Sequence, residues 1–465
     1  MEEEMILGRI FLLATLVLAL GCSSSDGNTL PSQDVAVDFT ADLQFADAAD
    51  VDATEEEACR TLWKKTTFTS GATSHAALGK NDVLYVTGGH RVYAIAPTSG
   101  AEQWVWPDSS AEDEGYVEFP EDTEQLYTPV IGAEGDILLG SQRNRLICLN
   151  KNGVGMFAVG TDGPVSGAPA ILSDGKILVL SDNGQRMKVI DLGIQASGDT
   201  KSYVLWEFSG DDGTNEILPA QQPLVASLES GSEFFWVVAK GAVYRYRSDD
   251  GALIGSTQLP EDHVATSNGI LDETGAITLA TGEGVANAYF IRHYLVTVDS
   301  DGVLSAESPT LIHEGPTKVV SLSGGRKDTL LVGTNNSGFM LYSRKTGQTL
   351  ANFYQDSFQD VAPAVQGLDG LVYFSAFPHW IYVISEAGEL VWFRKLEEPD
   401  QLIGANLAPS SPILRDDGVA IFHNGNFLHA VSCTQAGPAA VVWPRFGGNR
   451  KNTGNLADSE ALNQE

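Results

Sequence analysis

Eight histidines, four cysteines and several Asp-Gly turns are the residues through which this chain could do chemistry. The histidines are His75, His90, His263, His293, His313, His379, His423 and His429. None belongs to H-E-x-x-H or to another short ligand spacing, so no metal centre is predicted. His423 and His429 flank a hairpin and could approach each other, but surface or turn placement is the simpler expectation. Asp211-Asp212-Gly213, Asp249-Asp250-Gly251 and Asp299-Ser300-Asp301-Gly302 fall where hairpins turn. There aspartate accepts from local amides and glycine takes positive φ, which makes these turn residues rather than a calcium or acid–base set. Asp50–Glu57 lacks the glycine and the spacing of a calcium loop. Ser323-Gly324-Gly325 is not followed by the Gly-Lys-Ser/Thr and helix of a phosphate loop, and no G-x-S-x-G occurs. Cys148, within RLICLNKNG, alternates into a strand and reads as a small buried residue rather than a nucleophile. The sequence thus predicts no catalytic residue, no metal ligand and no cofactor.

The N-terminal residues suggest membrane attachment instead. Met1-Glu2-Glu3-Glu4-Met5 precedes Arg9 and an apolar run from Ile10 to Leu20. Three glutamates are wrong for the positive start of a secretory signal, which favours initiation at Met5. The run is shorter than the ~20 residues of a membrane span. It stops at Ala19-Leu20-Gly21-Cys22, before Ser23-Ser24-Ser25, and this resembles a bacterial lipobox with Ala19 in place of the usual Leu. Residues 1–21 then form a lipoprotein signal and Cys22 is acylated; the alternative is an ordinary secretory signal with an incidental cysteine. From Ser23 to Ala58 there are ten carboxylates and no Lys or Arg. Such a stretch repels itself and cannot bury enough to fold, so 22–58 reads as a disordered tether. The net charge of −33 argues against nucleic acid, whose phosphates need a basic footprint.

What must position any site is a phrase repeated about eight times along the rest of the chain. A short apolar run leads through a Gly-containing turn into a β-branched or aromatic strand, a polar hairpin and a second strand. The strands after the Gly turns begin near Val83, Ile137, Ile177, Phe235, Ile277, Leu330, Val372 and Val419, roughly 40–58 residues apart. One such unit cannot bury its own apolar face, so neighbours must stack, and a ring is the closed solution. The fold class predicted is all-β: an eight-bladed β-propeller of four-stranded antiparallel blades over 59–455, with seven blades as the alternative and a disordered tail at 456–465. The weakest copy runs from Gly275 to Ser305, with its hairpin extended at Glu283–Ala288. Longer intervals carry insertions at Asp108–Gln125 and Gly193–Asn215.

Large aromatics recur after the outer turns. Gly100 leads to Trp104 and Gly388 to Trp392; Trp206 follows a longer turn, Phe353 follows Thr346-Gly347, and Trp443 lies near the end. Trp104, Trp206, Trp392 and Trp443 are read as structural repeat aromatics that dock on the adjacent blade. Two segments compete to close the ring: Cys59–Phe68 looks like an outer strand lacking its blade, and so does Ala440–Asn455. One must complete the last blade, and the other must lie across it or add a fifth strand. Because first and last strands meet in a ring, Cys59 and Cys433 are candidates for a disulfide, which an extracytoplasmic compartment permits.

The G-x-x-x-W turns and the segment Trp443-Pro444-Arg445-Phe446-Gly447-Gly448-Asn449-Arg450-Lys451-Asn452-Thr453-Gly454 resemble those of the pyrroloquinoline-quinone-like propeller family. The resemblance covers most of Cys59–Asn455. It extends to propeller lipoproteins of the outer-membrane β-barrel assembly type, and to quinone-dependent dehydrogenases. The dehydrogenase branch implies adjacent cysteines beside the cofactor, a catalytic Asp and a calcium set, and this chain has no adjacent cysteines. The reading that results is a lipid-anchored, non-catalytic, monomeric scaffold in the bacterial cell envelope, at the outer membrane, binding an envelope or outer-membrane protein. A quinone- or metal-dependent oxidoreductase using the central channel, and a cell-surface polysaccharide-binding module, are the alternatives.

Overall fold

The structure, a computed structural model, describes residues 58–459 except 67–73, 80–81, 109–123, 183, 192–203, 210–216, 219–220, 228–230, 287–288, 307, 336–337, 355–359, 378–379, 396–408 and 425–426. Cys22, the signal and nearly all of the tether lie outside the described residues, as do most of the two insertions.

Almost every described element is a β-strand. Six sheets have four strands and one has eight. The first repeat shows the plan, with strands Ala77–Leu78, Leu84–Gly88, Arg91–Ile95 and Glu102–Trp106 paired antiparallel in chain order. The inner strand is short and fully buried, the two middle strands bury nearly every residue, and the outer strand is the most exposed, running from exposed Glu102 to buried Trp106. This pattern follows from stacking on both faces of the sheet, which removes the strict in–out alternation of a half-exposed strand. A bulge recurs between the third and outer strands, at Ala94/Ile95, Cys148/Leu149, Val189/Ile190, Arg245/Tyr246, Leu341/Tyr342 and Val383/Ile384, and twists each outer strand alike.

The eight-stranded sheet holds the fifth and sixth repeats. Strand Thr310–Gly325 runs sixteen residues, pairing first with Tyr289–Val298 and then with Thr329–Asn335. A count by sheets and a count by four-strand repeats differ at this one place. The fifth repeat also has ten-residue middle strands, Ile277–Ala286 and Tyr289–Val298, where the first repeat has five. The additional strand His263–Ala265 pairs with that extension.

The core lies between the sheets. One cluster joins Leu78, Leu84 and Ile95 of the first repeat to Ile413, Ile421 and Leu428 of the last, so the stack returns to its beginning. Each fully buried aliphatic side chain in such a seam contributes about 1.5–3 kcal/mol. The sheet containing Phe427–Ser432 is completed by Arg60–Thr66 from the other end of the chain, with Arg60 opposite Ser432 and Thr66 opposite Phe427. The N-terminal strand is therefore the one that closes the ring.

Ala440–Asn455 is not an outer strand. It has no regular strand and crosses the inner edges of the sheets, since its Gly-, Asn- and Pro-rich sequence cannot sustain a two-residue period. The expected tail also differs: Leu456–Asp458 form a 3-10 turn capped by Asn455, held because Leu456 is buried in the apolar core.

Candidate functional site

Innermost strands present one unpaired edge toward the ring axis, and unpaired main-chain groups buried there must find partners. The C-terminal segment supplies them. The amides of Leu78, Ile131, Ile171, Val225 and Gly324 donate to the carbonyls of Arg450, Lys451, Thr453, Gly454 and Trp443, at 2.8 to 3.0 Å. Leu368 N–H donates to Gly437 O, and Ala439 N–H donates to Gln366 O. Six of the repeats are thereby tied to one short stretch of chain.

Its side chains finish the task. Arg445 is 1% exposed and donates to Ala76 O at 3.2 Å, Ser411 O at 3.1 Å and Asn452 Oδ1 at 3.0 Å. Asn452 donates from Nδ2 to Ala76 O and Pro129 O, both at 3.1 Å. Asn455 Nδ2 donates to Ile171 O at 2.9 Å, and Gln222 Nε2 donates to Asn452 O at 2.6 Å. The guanidinium of Arg445 and the amide of Asn452 each satisfy more than one main-chain carbonyl, which is why this segment needs Arg and Asn rather than apolar residues.

Above this floor lies a cavity of about 220 Å³, lined by His75, Thr128, Ser166, Gln222, Asn268 and Ser321 with Trp443 and Phe446 beneath. His75 stacks on Phe446 at 3.9 Å between centroids, and its Nδ1 accepts from Ser411 N–H at 2.8 Å. Burial, then the nearby positive charge of Arg445 and His423, holds the His75 pKa well below the ordinary imidazole value. Among the described residues the lining offers hydroxyls, amides and a neutral imidazole, with no carboxylate.

The repeat aromatics are placed otherwise. Trp104 lies on the turn glycine of the next repeat: a Cβ on Gly153 would come within 2.7 Å of its ring, while Nε1 donates to Lys151 O at 3.3 Å. Trp206 treats Gly251 and Ser248 O the same way, and Trp63 does so with Gly100 and Pro97 O. Trp392 packs in one cluster with Cys59 and Cys433. Trp443 differs: it sits in the axial segment at φ 57°, is nearly fully buried, and its ring lies on Gly448 of the same segment rather than on the turn of a neighbouring repeat. Its Pro-Arg neighbours, rather than a G-x-x-x-W spacing, were the signal for that. Phe353 is displaced too, because Ala351 is the residue facing Gly388.

Cys59 and Cys433 form a disulfide, with Cα atoms 4.0 Å apart. Cys148 is buried, and that burial pushes its thiol pKa up. His423 and His429 are not surface residues: both are buried in the middle strands of the last sheet, His423 Nδ1 lying 3.1 Å from Ser74 O. The fifth-repeat extension carries His263, His293 and His313, with His263 set against Tyr294 and Thr281 rather than against the other two. His293 and His313 are cross-strand partners with ring centroids 5.8 Å apart. Burial, then the neighbouring His313, lowers the His293 pKa to about 4. Among the described residues no group of three or more His, Cys, Asp or Glu is arranged to hold a metal ion.

A closed stack of antiparallel four-strand repeats is a β-propeller. Residues 90–353 match the family described as outer membrane protein assembly factor BamB, and the chain belongs to that family. Among solved structures it is similar to BamB from Moraxella catarrhalis, at 12% identity over 80% of this chain and 99% of that one, with a TM-score of 0.57. The computationally designed Ika8 protein gives 11% identity, 79% and 99% coverage and a TM-score of 0.54. The C-terminal WD40 domain of Sif2 gives 14% identity, 81% and 98% coverage and a TM-score of 0.52. No curated protein matches the sequence.

Proposed function

We propose that this chain is a lipid-anchored scaffold of the cell envelope that holds a protein partner on its outer surface and rim loops, and performs no reaction in its channel. The observation that carries this reading is the axial segment. Trp443 and Phe446 floor the channel, and Arg445 is spent on main-chain carbonyls. A quinone bearing carboxylates would need cations and a flat slot on the axis, and the residues present there do not fit it. Membership of an outer membrane assembly factor family favours a protein partner. The proposed anchor is Cys22, which would keep the body near the outer membrane while the acidic tether spaces it away.

Affinity capture of the intact, acylated chain from gently solubilised membranes tests the reading. An envelope protein recovered repeatedly, and lost when Cys22→Ala removes the anchor from cells, is the expected outcome. Binding of polysaccharide with no protein recovered would contradict it.

A further inference from the structure

The seam between the fifth and sixth repeats departs from the docking pattern of the others. In three repeats a large aromatic stands four residues after the outer-turn glycine, Trp104 after Gly100, Phe157 after Gly153 and Trp392 after Gly388, and Trp104 lies on the turn glycine of the next repeat. After Gly302 that place is held by Ala306, and Ser308-Pro309 interrupts the chain before strand Thr310–Gly325 begins. Ala306 is exposed. Gly347, the glycine it should cover, is exposed as well; among the described residues a Cβ there would meet only Tyr342 Oη, at 3.7 Å.

Other seams without an aromatic are closed by direct contact. Thr257 Oγ1 donates to Gly302 O at 2.5 Å, and a Cβ on Gly388 would lie 3.0 Å from Ala351. Here instead there is a cavity of about 470 Å³, walled by Thr297, Ser305 and Ser308 of the fifth repeat and Leu330, Tyr342 and Gly347 of the sixth. Large apolar side chains are exposed on the same two repeats, at Val303, Leu311, Leu350 and Tyr354.

We propose that this seam is a docking pocket for a tryptophan side chain carried on an extended segment of a partner protein. The repeat itself defines the occupant. An indole lying on Gly347 as Trp104 lies on Gly153 would bury a large flat apolar area. Its N–H would reach the turn carbonyl at Arg344 or Lys345, the positions equivalent to those used by Trp206 and Trp104. Exposed Lys345 at the mouth favours an acidic residue beside that tryptophan. The assignment rests on the scaffold reading and gives its partner a recognisable feature.

The test is a titration of the intact chain with 5-fluoroindole followed by fluorine NMR, then displacement by a short peptide bearing Glu-Trp. Broadening of the fluorine signal is expected, with the peptide displacing the probe at tenfold lower concentration than free indole. Ala306→Trp, which supplies the ring in cis, should weaken probe binding at least tenfold, and Ala306→Met should weaken it less. No broadening at millimolar protein, or binding unchanged in both variants, would overturn the pocket. A peptide that displaces no better than indole would overturn the partner segment. Partner capture that persists undiminished with Ala306→Trp would refute this pocket while leaving the scaffold reading in place.

Discussion

Cys59 and Cys433 are joined at the position where the first repeat carries its Ala96–Ala101 outer turn. Arg60 pairs with Ser432, so the bridge lies one step beyond the last rung of the closing sheet. Strands that elsewhere are linked by a hairpin come here from opposite ends of the chain, 374 residues apart. The disulfide restores the missing covalent connection, and Trp392 belongs to the apolar cluster that holds the two cysteines.

Removing that bridge should loosen the closure first. Cys59→Ser, Cys433→Ser and the double variant should each lose about 2–5 kcal/mol of stability, non-additively, because a single bond is removed in all three. Chemical denaturation with and without reductant checks this. Reductant should destabilise the parent and leave the double variant unchanged.

The axial segment should be as costly to disturb. Arg445→Met takes the Arg445 donor from Ser411 O and Asn452 Oδ1 in a buried site and leaves Ala76 O with one of its two side-chain donors, the Asn452 amide. A loss of about 3 kcal/mol is expected, from stranded acceptors rather than lost apolar contact. Arg450→Met, whose partner Asp416 is largely exposed, should cost under about 1 kcal/mol in the same denaturation experiment.

Two glycine substitutions separate backbone strain from ring contact. Gly153→Ala and Gly347→Ala both force alanine into positive φ, at 81° and 65°. Only the first also drives a Cβ into an indole. Gly347→Ala should cost about 1 kcal/mol and Gly153→Ala at least twice that, read from melting temperatures.

Acid should weaken the fifth-repeat extension. His293 titrates near 4 in the folded chain and near its ordinary value when unfolded, so the unfolded state binds more protons between these limits. Its contribution is complete above about pH 6.5 and is lost as pH falls toward 4, by on the order of 2 kcal/mol. The difference in stability between the parent and His293→Gln, followed across that range, should shrink with acidification.

The repeat and the inner hairpins were legible because apolar period, Gly turns and strand spacing are local signals; which terminal segment closes the ring was not, because Cys59–Phe68 and Ala440–Asn455 both read as outer strands. Trp104 and Trp206 were legible for the same reason. The role of Arg445, Asn452 and Asn455 was not. Their partners, such as Ala76 and Pro129, lie more than three hundred residues away, and hydrogen bonds to main-chain carbonyls leave no mark on the partner's side chain. The buried state of His423 and His429 was hidden by their place beside a turn, and Ala306 is visible only once the repeats are aligned on their glycines.

Amide hydrogen exchange on the intact, oxidised chain tests the central claim most directly. If the chain's own C-terminal segment pairs with the inner edges of the ring, the amides of Leu78, Ile131, Ile171, Val225 and Gly324 will be protected as strongly as those of the middle strands. Exchange of these amides at the rate of exposed loops would contradict it.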